Sequence, residues 1–236
     1  MKYRLNRAIA ATGICSRRRA DDLIAGGRVS VNGKIVNDFN CLVDPASDRL
    51  EVDGKDLFVR EFEYIIVYKP RGIVTTCEDE KRRENILSVL PLELRHLKPV
   101  GRLDMDSEGL LLLTNDGDFA QRMAHPSHHV YKHYEVTVSG ELNSSVVAHL
   151  RDGILLDDGK TLPAKVRLIK ATKEKSLVEI GIREGRNRQI RRMCAKVGYP
   201  VTRLVRVAIG GLQLRQMEPG EWRHLTPEEV DELRSS

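Results

Sequence analysis

Hydrophobic positions at the start of the chain keep helical spacing and then switch to alternation. Leu5, Ala8, Ile9 and Thr12 share one helical face, and Gly13 stops the run. Ser16 is placed to cap a second helix that turns Ala20, Leu23 and Ile24 inward and ends at Gly26-Gly27. From there the period shortens to two, with Arg28-Val29-Ser30-Val31 and Lys34-Ile35-Val36 on either side of Asn32-Gly33. Both turn residues tolerate positive φ, so this segment reads as a tight hairpin. Asp44-Pro45-Ala46-Ser47-Asp48 reads as a turn, Leu50-Glu51-Val52 as a last strand and Asp53-Gly54 as its end. The pattern predicts a small α-then-β module over residues 1–58.

Tyr64-Ile65-Ile66-Val67-Tyr68 opens a strand-rich second domain over residues 59–236, with further strands expected at Gly109–Thr114, Tyr134–Val138, Lys165–Ile169, Leu177–Ile182 and Leu204–Val207. Helical spacing separates them at Phe119–Ala124, Ser144–Arg151 and Arg188–Val197. Thr226-Pro227-Glu228-Glu229 is a capping box with proline at the first helical position. In the third of these helices Ile190, Met193, Cys194 and Val197 form one apolar stripe, and Arg191 lies beside it. Tyr134 shares a strand face with Val136 and Val138, which points its ring inward.

Composition narrows the class. The chain has 236 residues, 41% of them hydrophobic, enough for a real core in one or two domains. No stretch approaches the roughly 18 apolar residues of a membrane helix, and Met1-Lys2-Tyr3-Arg4 is not followed by the apolar run of a signal peptide, so no membrane partner and a cytoplasmic location are expected. Cys15, Cys41, Cys77 and Cys194 are too far apart to suggest a zinc site or a disulfide framework. His125-Pro126-Ser127-His128-His129 with His133 invites a metal reading, but Pro126 interrupts any continuous helix and no cysteine or matched carboxylate completes a ligand set; no metal is expected.

Net charge is +5, modest until its placement is considered. Residues 1–40 hold eight Lys/Arg against three Asp/Glu and residues 183–206 hold eight against one, so these segments carry +12 and the remainder −7. Two basic patches on an otherwise acidic protein are the electrostatic footprint of a nucleic-acid binder. Arg4, Arg7, Arg17, Arg18, Arg19 and Arg28 cluster around the first two helices and the hairpin, where they can grip phosphates without reading sequence. Arg186, Arg188 and Arg192 are the corresponding candidates in the second patch, and Lys69, Arg71 and Arg102 are candidates either for phosphate contact or for bracing the loop around Asp104. Aromatic residues make up 5%, which argues against extended stacking on single-stranded RNA.

Gly101-Arg102-Leu103-Asp104-Met105-Asp106-Ser107-Glu108-Gly109 is the densest acidic constellation. Asp104, Asp106, Glu108 and Gly109 match the start of a calcium loop, but the position of its bidentate glutamate is Asn115. Two carboxylates two residues apart on a strand lie about 7 Å from each other, near the separation of an inverting glycosidase. A third reading is a single carboxylate that attacks or stabilises a nucleoside during cleavage of its glycosidic bond, with the other acids in turn or solvent roles. Residue types alone leave the last two open.

Gly101-Arg102-Leu103-Asp104 followed by Ser107-Glu108-Gly109-Leu110-Leu111-Leu112-Leu113-Thr114-Asn115-Asp116-Gly117 closely resembles the catalytic motif of ribosomal pseudouridine synthases of the RsuA/RluB type. Tyr68-Lys69-Pro70-Arg71-Gly72, Lys132-His133-Tyr134 and Glu184-Gly185-Arg186-Asn187-Arg188-Gln189-Ile190-Arg191-Arg192-Met193 resemble that family's other motifs, in its order, and the amino-terminal module resembles an S4 RNA-binding domain. The resemblance implies an α+β fold, with the S4-like module followed by a catalytic domain built on a mainly antiparallel mixed sheet flanked by helices. It implies isomerisation of a uridine in ribosomal RNA, 23S more than 16S, by base flipping and without a cofactor. Asp104 would be the nucleophile or electrostatic partner, with attack at C1′ or C6 left open; Arg191 would be its charge partner, and Tyr134 would pack on the flipped base. The alternatives from other classes are a ribosome-assembly factor that only binds, and a phosphodiesterase holding magnesium around Asp104.

Overall fold

Residues that turn or cap the chain decide where the elements of the amino-terminal part begin. The computed structural model describes residues 2–44, 47–58, 60–76, 83–124 and 130–235. These form two units, Met1–Glu63 with Asn115–Gly117, and Tyr64–Thr114 with Asp118–Ser236. Pro45 and Ala46 of the expected turn, Cys77 and the run His125-Pro126-Ser127-His128-His129 lie outside the described residues.

In the first unit, β1 (Tyr3–Arg4) leads into α1 (Leu5–Ala11) and α2 (Arg17–Ala25). The Ser16 hydroxyl accepts the Arg19 N–H at 3.2 Å, the cap that the sequence pattern requires. Leu5, Ala8, Ile9, Ala20, Leu23 and Ile24 are all buried, against Val29, Val43, Leu50 and Val52 from the strands. The strands are β2 (Val29–Val31), β3 (Lys34–Ile35), β4 (Leu42–Val43), β5 (Leu50–Val52) and β6 (Lys55–Leu57). Their order is β3-β2-β5-β6, while β4 pairs with β1.

The strand Leu50–Val52 ends at Asp53-Gly54 as expected, but it is not the last strand of the module. Asp53-Gly54 is a second hairpin turn, with φ of 51° and 73°, of the same kind as Asn32-Gly33 at 52° and 77°, and β6 follows it. Lys55-Asp56-Leu57 offers only one apolar side chain, so alternation could not announce the strand. The unit reaches Glu63 because the Asn115 amide accepts from the Glu63 N–H and donates to the Glu61 carbonyl, both at 2.8 Å.

The second unit contains β7 (Tyr64–Lys69), β8 (Lys98–Pro99), β9 (Glu108–Thr114), α3 (Gly117–Ala124), β10 (Lys132–Ser139), α4 (Ser144–Asp152), β11 (Leu155–Leu156), β12 (Gly159–Lys160), β13 (Lys165–Ala171), β14 (Lys175–Ile182), α5 (Gln189–Lys196), β15 (Val201–Ile209), β16 (Leu212–Gln213), β17 (Trp222–His224) and α6 (Pro227–Ser235). The main sheet runs β13-β14-β10-β15-β9-β7-β17, with β16 on β15 and β8 on β9. Its described pairings are antiparallel except β15 with β9, which join in parallel at Val205 to Glu108 and Arg206 to Gly109. The mainly antiparallel mixed sheet of an α+β fold is therefore present.

Both faces of the central strands are covered, which is why Ile65-Ile66-Val67 and Leu110-Leu111-Leu112-Leu113 are continuous apolar runs rather than alternating ones. Val136, Val138, Val178 and Ile180 pack with Leu150 of α4 and Met193 and Cys194 of α5 on one side. Ile66, Leu110, Leu112 and Val205 pack with Phe119 and Met123 of α3 and Val230 and Leu233 of α6 on the other. The capping box of α6 forms reciprocally: Glu229 N–H donates to Thr226 Oγ1 at 3.3 Å, and Thr226 N–H to Glu229 Oε2 at 3.0 Å. No helix among the described residues is long and apolar enough to cross a membrane.

The parallel junction depends on Gly109, whose φ is +105° and whose missing Cβ would stand 2.3 Å from the Arg206 carbonyl oxygen and 2.7 Å from its nitrogen. Neither neighbour is a flexible side-chain end. Gly109→Ala should therefore destabilise the protein by roughly 3 kcal/mol or more. Gly198→Ala, at φ +88° but in open space, should lose only about 1 to 2 kcal/mol from backbone strain. Thermal unfolding of the two variants side by side checks this, and equal destabilisation would show that the close approach at Gly109 is unimportant.

Candidate active site

Residues 103–107 form the loop that enters β9, and each of its carbonyl groups has a donor. Thr75 Oγ1 donates to Leu103 O at 2.7 Å and accepts the Leu103 N–H at 3.2 Å. Ser107 N–H closes a turn on Asp104 O at 3.0 Å, and Gly72 N–H reaches Met105 O at 2.7 Å. Arg191 Nη2 donates to Asp106 O at 2.8 Å. Lys69 Nζ donates to Ser107 O at 2.7 Å and to Pro70 O at 2.8 Å. Buried backbone groups left unpaired would be expensive, so this set of donors fixes the loop's path.

Lys69 was expected to contact RNA phosphate or brace this loop, and the structure removes the first role: the residue is fully buried. Burial pushes its ammonium down to about 8, against the pull of Asp106, Glu108 and Asp104. Its position at the end of an apolar strand gave no sign of this, because the two carbonyls that hold it come from the chain turns that follow β7 and precede β9.

Asp104 projects from the loop into a cleft of about 340 Å³ lined by Arg102, Leu103, Ser107, Tyr134, Arg188 and Leu204, among others. That volume is of the order that holds a small ligand. The Asp104 side chain is one-third exposed, and among the described residues its ion-pair partner is Arg188, 3.7 Å from Oδ2. Tyr134 is buried with Val136 and Val138, as its strand face requires, and its ring forms part of the cleft wall.

The expected pairing of Arg191 with Asp104 is not what the structure contains. Arg191 is only 12% exposed; besides the Asp106 carbonyl it meets the Asp106 carboxylate, with Nε 3.3 Å from Oδ2. Arg188 holds that same carboxylate with two parallel hydrogen bonds of 2.9 Å, and this holds the Asp106 carboxyl below the ordinary range. Position beside the apolar stripe correctly turned Arg191 toward the loop. It could not distinguish two carboxylates two residues apart, and Asp106, assigned only a turn or solvent role, is the one that faces α5.

Several other candidate cations are engaged within the chain. Arg186 donates to the carbonyls of Asp158, Gly159 and Lys160 and to Glu184, and so ties the β11–β12 hairpin to the loop before α5. Arg192 pairs with Asp158 through two hydrogen bonds of 2.9 Å. Arg188 is not a helical residue but the left-handed N-cap of α5, with φ +47°. In the first unit, Arg28 is paired with Asp53, Arg19 lies 3.5 Å from Asp22 and Arg7 stacks over the Tyr3 ring. Arg4, Arg17, Arg18, Arg71 and Arg102 are exposed, and so is Arg19 despite its neighbouring Asp22.

The sequence reading missed other supporting residues. Glu184, nearly buried, accepts from the Leu162 N–H, Gln189 Nε2 and Arg186 Nε, and so organises the segment carrying Arg188. Arg206, 2% exposed, stands opposite Tyr134 across the β10–β15 pair and donates to Leu110 O at 2.7 Å. Burial and repulsion from Arg206 push the neighbouring Lys132 down to about 8.

Comparison with known proteins gives the family. Residues 63–196 match the RNA pseudouridylate synthase family, and residues 4–49 match the S4 domain. The chain is 42% identical over 234 residues to the ribosomal large subunit pseudouridine synthase B of Bacillus subtilis, covering 98% of this chain and 96% of that protein. It is 40% identical to an RNA pseudouridine synthase of Mycobacterium tuberculosis described as uncharacterized, over 98% of this chain and 92% of that one. A crystal structure of a pseudouridylate synthase superposes with a TM-score of 0.71 at 33% identity, covering 98% of this chain and 99% of the other.

The buried ammonium has a measurable signature. Its folded-state value of about 8 lies below the ordinary 10.5, so the native protein gives up this proton before the unfolded chain does. The penalty for holding the charge is complete below pH 8 and fades as pH rises from 8 to 10.5. Wild type should therefore gain stability relative to Lys69→Met over that window, by at most about 1.4 kcal/mol per pH unit. Urea unfolding of both proteins near about pH 7.5 and about pH 10 measures the difference; a flat difference would mean that Lys69 titrates as an ordinary surface lysine.

Proposed function

The chain belongs to the RNA pseudouridylate synthase family, and from that premise we propose that it converts a uridine of ribosomal RNA, in the large subunit, to pseudouridine, with Asp104 as the reacting carboxylate. The observation that carries this reading is a partly exposed aspartate on a loop whose carbonyls are all held, opening into a cleft walled by Tyr134. Preorganised geometry of this kind is what a reaction without external reagents needs.

The isomerisation breaks the N1–C1′ bond, turns the uracil while it is held, and forms the C5–C1′ bond; the proton leaving C5 balances the one gained at N1. Nothing is oxidised and no atom is added, so the chemistry requires no cofactor. Asp104 acts on the nucleoside as nucleophile or electrostatic partner, and Tyr134 packs against the extruded base. Extrusion costs a few kcal/mol, which arginine–phosphate contacts must offset. The exposed Arg102 at the cleft and Arg71 are suited to that role. The S4 domain holds structured RNA through Arg4, Arg17, Arg18 and Arg19, so anchoring falls to the first unit and chemistry to the second. An enzyme with this substrate works where ribosomes are assembled, in the cytoplasm.

Asp104→Asn preserves shape and removes the charge. It should abolish pseudouridine formation in 23S ribosomal RNA transcribed in vitro while leaving RNA affinity within a few-fold. Retention of more than about a tenth of the single-turnover rate would sink the assignment of Asp104.

Replacing Arg17, Arg18 and Arg19 together by glutamine should weaken binding of the same RNA. It should also reduce the slope of log affinity against log salt by about 0.7 to 0.9 for each phosphate that is no longer neutralised. An unchanged slope would place the RNA on another surface.

A further inference from the structure

Asp106 has more cationic partners than one carboxylate needs, and Asp104 has fewer. Arg191, nearly buried, holds the Asp106 carbonyl and stands 3.3 Å from its carboxylate. Arg188 adds a complete bidentate pair to the same group, and the same guanidinium lies 3.7 Å from Asp104 Oδ2. The strong ion pair is therefore on the neighbour, and its arginine rests beside the Asp104 carboxylate.

The two arginines differ in what their departure would leave behind. Removing one partner of a buried ion pair is severe when the other charge is left alone. If Arg188 leaves, Asp106 still has Arg191. The Arg188 and Asp106 side chains are 43% and 30% exposed, a setting in which ion pairs are weak and exchange readily. A phosphodiester offers a guanidinium fork the same two-oxygen acceptor that a carboxylate does. The backbone of Arg188 meanwhile stays put: it caps α5, with its carbonyl accepting the Arg192 N–H at 3.0 Å. Its left-handed φ of +47° is a conformation that glycine or asparagine adopts more readily. An arginine there is explained by its side chain rather than by the turn.

We propose that Arg188 is a two-position residue, parked on Asp106 beside Asp104 while RNA is absent and transferred to a phosphodiester of the target strand when RNA binds. The transfer uncovers the Asp104 carboxylate as the nucleotide arrives. Asp106 is then a positioning residue that stores the arginine, and Arg191 is the counter-charge that permits its release. The inference rests on the cleft being the RNA-modifying site proposed above.

Binding of 23S ribosomal RNA transcribed in vitro, measured by filter retention across a range of salt, tests it with wild type, Arg188→Gln, Asp106→Asn and the double variant. Arg188→Gln should weaken binding several-fold and lower the salt slope by about 0.7 to 0.9, one phosphate's worth. Asp106→Asn keeps the shape but releases the arginine, so it should tighten binding several-fold. In the Arg188→Gln background the same change should bring no gain, since no arginine is left to release. Thermal unfolding verifies that each variant is folded; should the glutamine variant not fold, Arg188→Lys takes its place, retaining the slope but losing the coupling to Asp106.

An unchanged slope in Arg188→Gln overturns the proposal. So does an Asp106→Asn gain of equal size in both backgrounds, which is plain relief of repulsion between RNA and a carboxylate. A wild type that binds this RNA but never forms pseudouridine refutes the proposed function while leaving the binding comparison to decide the transfer. A wild type that does not bind refutes both.

Discussion

Five consecutive carbonyl oxygens, from Leu103 to Ser107, are held by five donors, and the placement of Asp104 in the cleft follows from that. Four of the donors come from outside the loop: Thr75, Gly72, Arg191 and Lys69. A loop held only at its ends would let an aspartate sample many directions; one held at each peptide presents Asp104 along a single path. The most demanding of these contacts is Lys69, an ammonium without solvent that stays charged near neutrality because two carbonyls and three nearby carboxylates favour it. Its burial exchanges some stability for a fixed loop, the usual relation between stability and a constrained site.

The basic patches take on a different meaning once pairing is visible. Much of the positive charge in residues 183–206 is spent inside the chain. Arg186 and Arg192 bind the β11–β12 hairpin, Arg203 pairs with Glu108, and Arg206 serves a carbonyl in the sheet. A run of arginines thus holds two things at once, an internal scaffold and a smaller set of exposed cations suited to RNA. Counting charges along a sequence reports their sum and cannot separate these uses.

What the sequence disclosed and what it concealed divide along physical lines. Short-range chemistry was legible: the Ser16 cap, the Asn32-Gly33 turn, the Thr226 capping box and the inward face of Tyr134 depend on residues a few positions apart. The two-residue pair of β1 with β4, the burial of Lys69 and the choice of Asp106 over Asp104 by Arg191 were not, because each is decided by a partner far along the chain. Asp53-Gly54 shows that a short-range signal can be recognised and still be misassigned, since a turn that permits a strand looks the same whether or not one follows.

The single parallel joint described in the sheet, Val205 and Arg206 beside Glu108 and Gly109, also sets an order of assembly. The strand that follows the Asp104 loop is completed by residues translated much later. Contacts so distant in sequence form slowly and only after loop closure has been overcome. While the polypeptide is still emerging from the ribosome, the amino-terminal module has everything its own core needs, whereas the Asp104 loop lacks the strand beside it. A nascent chain can thus carry a folded amino-terminal module well before the strand that lies beside the Asp104 loop has been made.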